Sequence, residues 1–377
     1  MYFQHEYVRE AVAMTLNGEY VLELPKSGLL SSLLLRISGA QASDAFLTSA
    51  DWRIVDKISK IELIGDGATV IMSLTGYEAQ ALAVWDQGVF PQHDWRSYAT
   101  NTQREHFLLN LGRWYKDTGF GLDLSAFKTV ELKITNVATT SHFSDLTVSV
   151  LAAYVRDAGA GIFRGYMRKE EWRSWTTAQN ETKYNSLPVD YLIRRIVVQA
   201  IPNIDGAEVE QTGLANLMED IELSLDTGQV RVYKGGLDDL LRLNHLEAGK
   251  DWIVGGAAYF TADQGVDISL GHVYGGAWGA GSQDGAGAAT IATFETSRNS
   301  FTQKPETFEA DSPIGFLFQG IAPFLTGVFN FEIDYDPASW LDPRARYEAQ
   351  LNIRTRDASA SASGRNAIVL DRFVPYR

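Results

Sequence analysis

The sequence predicts an all-β fold of two tandem units, each a two-sheet sandwich of roughly eight strands, and three observations carry that prediction. An apolar stretch is written twice: LPKSGLLSSLLLRISG from Leu24 returns as LPVDYLIRRIVVQAIP from Leu187, 163 positions on. Each copy is followed by a hairpin signal opening on IEL. Glycine (33) and aromatics (9 Trp, 16 Tyr, 18 Phe) are plentiful, while sustained helical periods are scarce, which is the mix of short strands joined by turns.

The bulk properties agree. At 377 residues the chain exceeds one ordinary core and has room for two. Hydrophobic residues at 45% and charged residues at 21% are globular proportions. A net charge of −14 and a pI near 4.9 argue against a surface built to neutralise nucleic-acid phosphates. The absence of cysteine removes disulfides, cysteine zinc sites and thiol nucleophiles together. The first thirty residues lack a basic region followed by an uninterrupted apolar one, so no secretion signal is read there. Lys26 and Arg36 bracket only nine residues, against the roughly 20 apolar ones a membrane helix needs. The expectation is a soluble protein made and used in the cytoplasm.

Taken in order, Leu29–Ser38 sorts by parity into Leu29, Ser31, Leu33, Leu35 and Ile37 on one side and Leu30, Ser32, Leu34, Arg36 and Ser38 on the other, a strand reading. The second copy keeps the parity with Leu192, Arg194, Ile196, Val198 and Ala200, the serine-to-arginine exchange being the exception. Its β-branched run at 196–198 favours strand in both. IELIGDGATVIMSLTG (61–76) aligns without gaps on IELSLDTGQVRVYKGG (221–236), sharing Ile61/Ile221, Glu62/Glu222, Leu63/Leu223, Asp66/Asp226, Val70/Val230 and Gly76/Gly236. Each reads as strand, Asp/Gly turn, strand. A short helix is expected after each hairpin, in GYEAQALAVWDQG and in GLDDLLRLNHLEAG (236–249). Both halves close on strand-like material. The units are expected at 1–160 and 187–377 with a connector at 161–186, and each carries one excursion, 84–123 in the first and 255–294 in the second. At this strand count the commonest sandwich is the jelly roll.

The chemistry-bearing patterns are missing. The six histidines (His5, His93, His106, His142, His245, His272) form no H-E-x-x-H or H-x-H pair. There is no G-x-S-x-G elbow and no P-loop, and GGAWGAGSQDGAGAA lacks dinucleotide-binding spacing. Asp66 and Asp226 are read as turn residues bonding their own backbone. Asp334 and Asp336 hint at calcium without the EF-hand glycine and glutamate. No catalytic, cofactor-binding or metal-ligating residue is expected.

Tandem eight-stranded units, each opening with LP plus an apolar strand and an IEL hairpin, in an acidic cysteine-free chain of this length, resemble the double jelly-roll major capsid proteins of tailless icosahedral viruses. These include membrane-containing bacteriophages and are related in fold to adenovirus hexon. The resemblance spans the whole chain as architecture. It implies a structural protein and not an enzyme: a homotrimer whose six rolls make a pseudo-hexameric capsomer that tiles an icosahedral shell. Partners would be the chain itself, neighbouring capsomers, penton and minor capsid proteins, and a membrane under the shell in membrane-containing viruses, with no sequence-specific nucleic-acid binding. Its place would be the virion, after synthesis and assembly in host cytoplasm. The excursion aromatics Trp85, Trp95, Trp114, Tyr115, Tyr274 and Trp278 are the expected interface residues. The termini, MYFQHEYVREAV and RFVPYR, would be an arm and a tail or ordinary frayed ends. A glycan amidase built on paired jelly rolls, or a carbohydrate-binding tandem module using Trp85, Trp95, Trp114 and Trp278, stands as the alternative.

Overall fold

The computed structural model describes residues 1–42, 53–90, 102–159, 161–201, 217–259, 267–269, 273–274, 279–283, 292–293, 300–302, 313–333, 335–355 and 364–376. The first half contains β1 (Tyr2–Met14), β2 (Glu19–Glu23), β3 (Leu29–Gln41), a single helical turn α1 (Ile54–Lys57), β4 (Ile58–Gly65), β5 (Thr69–Leu74) and helix α2 (Gly76–Gln87). It continues through β6 (Thr102–Asn110), the two-residue β7 (Leu122–Asp123), β8 (Val130–Asn136) and β9 (Phe143–Arg156). The second half contains β10 (Gly165–Thr176), β11 (Thr182–Ser186), β12 (Leu192–Ile201), β13 (Met218–Leu225), β14 (Val230–Gly236) and α3 (Leu237–Ala248). After a series of strands running from β15 (Trp252–Tyr259) to β22 (Ala322–Pro323) come β23 (Thr326–Asn330), β24 (Ala349–Thr355) and β25 (Arg365–Pro375).

The hydrogen-bonded strand orders show the duplication. In the first half they are β1-β9-β3-β6 and β2-β8-β4-β5; in the second, β10-β25-β12-β23 and β11-β24-β13-β14. Each of the eight strands in the first pair of orders has a counterpart in the second, the two-residue β7 beside β3 being the one addition, so the fold is two tandem eight-stranded jelly rolls. The two are joined within one sheet. β5, the edge of the first roll, pairs in parallel with β10, the edge of the second, setting Met72 against Lys169 and Ser73 against Glu170.

Side-chain alternation builds the cores. Leu33, Leu35 and Ile37 of β3 point inward with Phe107, Leu132 and Val148, and Ile196 and Val198 of β12 point inward with Leu223, Leu351 and Leu370. Each such side chain contributes about 1.5–3 kcal/mol relative to exposure. β12 is buried on both faces from Ile193 to Ala200, whereas β3 alternates after Leu33.

The hairpin and helix expectations hold. α2 begins at a capping box, in which the Thr75 hydroxyl accepts from the Glu78 amide and the Glu78 carboxylate accepts from the Thr75 amide, satisfying two donors that a helix start leaves bare. It stops at Gly88 and α3 stops at Gly249, both left-handed, where glycine avoids the Cβ penalty.

Other expectations are corrected. The N-terminal segment is neither arm nor frayed end: it is β1, a 13-residue strand paired along β9. The C-terminal tail is held too, with the Tyr376 hydroxyl accepting from the Asp123 amide at 2.6 Å and donating to the Gly121 carbonyl at 3.0 Å. The excursion at 84–123 is only partly loop, because β6 lies inside it and pairs with β3 from Ser32 to Ala40. Most of the excursion at 255–294 lies outside the described residues. Asp66 and Asp226 do occupy left-handed turn positions, but their side chains do not bond their own turns. Asp66 Oδ1 accepts from the amides of Lys128 and Thr129, and Asp226 Oδ1 from that of Tyr347, so each stitches its hairpin to the segment leading into the neighbouring strand, β8 or β24. Asp334 lies outside the described residues, and Asp336 caps a short 3-10 turn through the Ala338 amide.

Candidate functional site at the joint between the two rolls

The exception in the repeat marks the site. β3 shifts register against β9 between Leu30 and Ser32, and β12 shifts against β25 between Ile193 and Arg195. Ser31 and Arg194 are therefore the extra residues of equivalent bulges, features that re-aim a side chain. In the first roll that residue is a small buried serine. In the second it is an arginine aimed at the joint.

Arg194 ties four segments together. Its Nη1 donates to Asp86 Oδ1 at 3.1 Å, to Asp371 Oδ2 at 3.0 Å and to the Arg113 carbonyl at 3.0 Å, while Nε and Nη2 donate to Glu332 Oε2 at 3.0 and 2.7 Å. Asp86, from α2 of the first roll, also accepts from Arg195 Nη1 at 2.7 Å, Lys169 Nζ at 2.5 Å and Asn110 Nδ2 at 3.2 Å. Lys169, Arg194 and Arg195 thus face Asp86, Glu332 and Asp371, three cations against three carboxylates, all buried. Burial at this depth is tolerable only because the charges balance and are hydrogen-bonded.

The electrostatics follow. Burial alone would raise the Asp86 carboxyl, but Lys169, Arg195 and Arg194 pull it down to about 2. Burial holds Asp371 above the ordinary aspartate range despite Lys169 and Arg194. Burial weighs against the charged Arg194 guanidinium, yet Asp371, Asp86 and Glu332 outweigh it and hold the group above its usual value. Every member bonds at least one other member, while among the described residues Glu332 Oε1 and Asp371 Oδ1 stay buried without a hydrogen-bond partner. Among the described residues no group of three or more His, Cys, Asp or Glu side chains is placed to hold a metal ion.

The expected interface aromatics fall in different places. Trp85, on α2, is used inside the chain: its Nε1 donates to Thr326 Oγ1 at 2.8 Å, and its ring meets Trp252 edge-on at 5.3 Å. Trp114 is stacked under the Arg113 guanidinium at 4.0 Å and lies against Tyr335 at 5.1 Å. Tyr115 is half-buried beside β1, its hydroxyl 2.5 Å from His5 Nε2, and burial raises its phenol. Tyr274 lies on a short strand opposite Ala322; Trp95 and Trp278 lie outside the described residues. Trp114 and Tyr115 share one loop, which the Arg113 carbonyl connects to Arg194. Sequence reading noticed the Ser31/Arg194 exchange but missed its partners. The available signal was a charge inside an apolar run, as with Asp371 in AIVLDRFV.

No protein-family model matches this sequence, and no curated protein does. Solved structures do. The chain is similar to the STIV MCP at TM-score 0.63 and 11% identity, covering 100% of this chain and 97% of that one. It is similar to the chain in the PBCV-1 virus capsid at TM-score 0.54 and 11% identity, covering 99% and 94%. With the major capsid protein P2 of bacteriophage PM2 the TM-score is 0.50 and the identity 11%, covering 100% and 99%. Matching strand orders in both halves, with end-to-end alignment on these structures, give this chain the double jelly-roll fold found in the major capsid proteins.

Proposed function

We propose that this chain is a structural shell protein that works by self-assembly: a homotrimer whose six rolls form a pseudo-hexameric capsomer tiling an icosahedral virion. The observation that carries it is a complete sandwich duplicated within one chain and locked to its copy by the buried Arg194–Asp86 network. A rigid pair of near-equivalent rolls lets three chains present six near-equivalent edges. The fold it shares with the capsid proteins above supports the same reading. The division into rolls is proposed to fall in 157–164, between β9 and β10, since β10 and β11 pair with β25 and β24 of the second roll. Trp114 and Tyr115, with Trp95, Tyr274 and Trp278, are proposed as contacts between chains, while Trp85 serves within one. Neighbouring capsomers, penton and minor proteins are the proposed further partners, and the virion the proposed location.

Light scattering on the purified chain should give three times the 41.7 kDa chain mass, and electron microscopy six-lobed particles. A stable monomer at high concentration would sink the proposal.

A further inference from the structure

The joint inside the chain predicts the joint between chains. β5 of the first roll is covered by β10 of the second, and α2 meets the second roll through Asp86 on Lys169 and through Trp85 on Thr326 and Trp252. Their counterparts, β14 and α3, have no such cover: among the described residues β14 pairs only with β13, and β1, the counterpart of β10, pairs only with β9.

Burial differs accordingly at equivalent positions. β10 is largely buried from Gly165 to Glu170, while most of β1 is exposed, Tyr2 and Tyr7 included; Val230 and Val232 of β14 are exposed too. Aligning the helices on their terminal glycines, Gly88 and Gly249, sets Leu82 opposite Leu243 and Trp85 opposite Leu246. Leu82 is 2% exposed against 46% for Leu243, and Leu246 is 74% exposed. Bare strand edges and exposed leucines are features that folded chains normally cover.

We propose that the edge of β14, with the outer face of α3, docks in parallel on β1 of a second copy of this chain, repeating the β5–β10 joint. The proposal rests on the shell reading above and names its contact surface. The internal pairing supplies the register. Ser32 and Arg195 follow equivalent bulges and face Ala153 and Asp371; His5 also faces Ala153 and Lys169 also faces Asp371. His5 and Glu6 therefore stand where Lys169 and Glu170 stand. Likewise Leu63 faces Met72 as Leu223 faces Tyr233, so Tyr233 and Lys234 stand where Met72 and Ser73 stand. Carrying the internal pairs across puts His5 of one copy beside Tyr233 of the next, and Glu6 beside Lys234. The second pair is of opposite charge, and among the described residues the Lys234 side chain, 59% exposed, is otherwise held only by a contact with Glu222 at 3.5 Å. A head-to-tail joint of this kind makes a ring when its rotation closes, and Tyr115 stands beside His5 next to it.

The cysteine-free chain makes the test direct. Parallel neighbours lie within disulfide reach, so a Glu6→Cys, Lys234→Cys double variant, oxidised and run unreduced on a denaturing gel, should give linked dimers and trimers where each single variant does not. Separately, Glu6→Lys should weaken trimer formation by about fivefold per joint, with Lys234→Glu in the same chain restoring it. A trimer by light scattering with neither cross-link nor rescue overturns this joint and leaves the shell reading standing. A monomer at all concentrations overturns both.

Discussion

Arg194 and Asp86 meet at 3.1 Å across the joint between the two rolls, their side chains each 1% exposed. They come from different copies of the duplicated unit, and the position of Arg194 is a serine, Ser31, in the other copy. Equivalent bulge residues thus differ in role, a small buried serine in the first roll and a latch to the other roll in the second. The latch is specific because the surrounding charges are matched, so removing one partner costs far more than an exposed ion pair would.

Asp86→Ala should destabilise the chain by about 3–5 kcal/mol, since it leaves Lys169, Arg194 and Arg195 buried with only two carboxylates between them. Denaturant unfolding followed by tryptophan fluorescence reads this. A loss below about 1 kcal/mol, the range of an exposed pair, would mean that the network does not hold the rolls.

Acid should act on the same residue with a definite sign. The Asp86 carboxyl is lowered in the folded chain from an ordinary 3.8 to about 2, so its contribution is present above pH 4 and lost as pH falls toward about 2. The acid limb of a stability–pH curve should therefore shrink in Asp86→Asn, at the cost of lower stability at neutral pH.

Glu78 should show the opposite slope. Burial, opposed by Arg365 and reinforced by Glu171, raises its carboxyl from 4.5 to about 7. The folded chain then holds the proton more tightly, so the contribution is full below pH 4.5 and fades as pH rises to about 7. Glu78→Gln keeps an acceptor for the Thr75 amide and should flatten stability across that window, by a difference on the order of 3 kcal/mol between its ends. An unchanged slope would refute the assignment.

The equivalent turn aspartates should behave as a pair. Asp66→Ala loses two accepted amide bonds, at 2.6 and 3.1 Å, and Asp226→Ala loses one amide bond and a partly exposed contact to Arg346. Each should cost about 1–3 kcal/mol, with Asn milder because its side-chain oxygen still accepts and it tolerates the left-handed turn. Thermal unfolding of the four variants measures the ranking, which fails if Asn and Ala are equal.

Trp85→Phe should cost about 1 kcal/mol by losing the hydrogen bond to Thr326, and Trp85→Ala about 3–5 kcal/mol by leaving a cavity against Trp252. Chemical denaturation of both variants separates the two contributions.

The sequence by itself determined the repeated strands β3 and β12, the two hairpins, the two short helices and the fact of duplication. These rest on alternation, turn residues and helix stops, all of which act within a few neighbours. It showed that position 194 departs from the repeat. It did not show that β1 is a strand, because an exposed edge strand such as YFQHEYVREAVAM lacks the alternation that burial on one face imposes. Nor did it show why Asp66 and Asp226 recur, since their partners, Lys128, Thr129 and Tyr347, are far away in the chain. Only the tertiary structure decided which charges meet. Asp86, Lys169, Arg194, Glu332 and Asp371 are brought together by sheet order and one parallel strand pair, and pairing across such distances is written in packing that no local pattern carries.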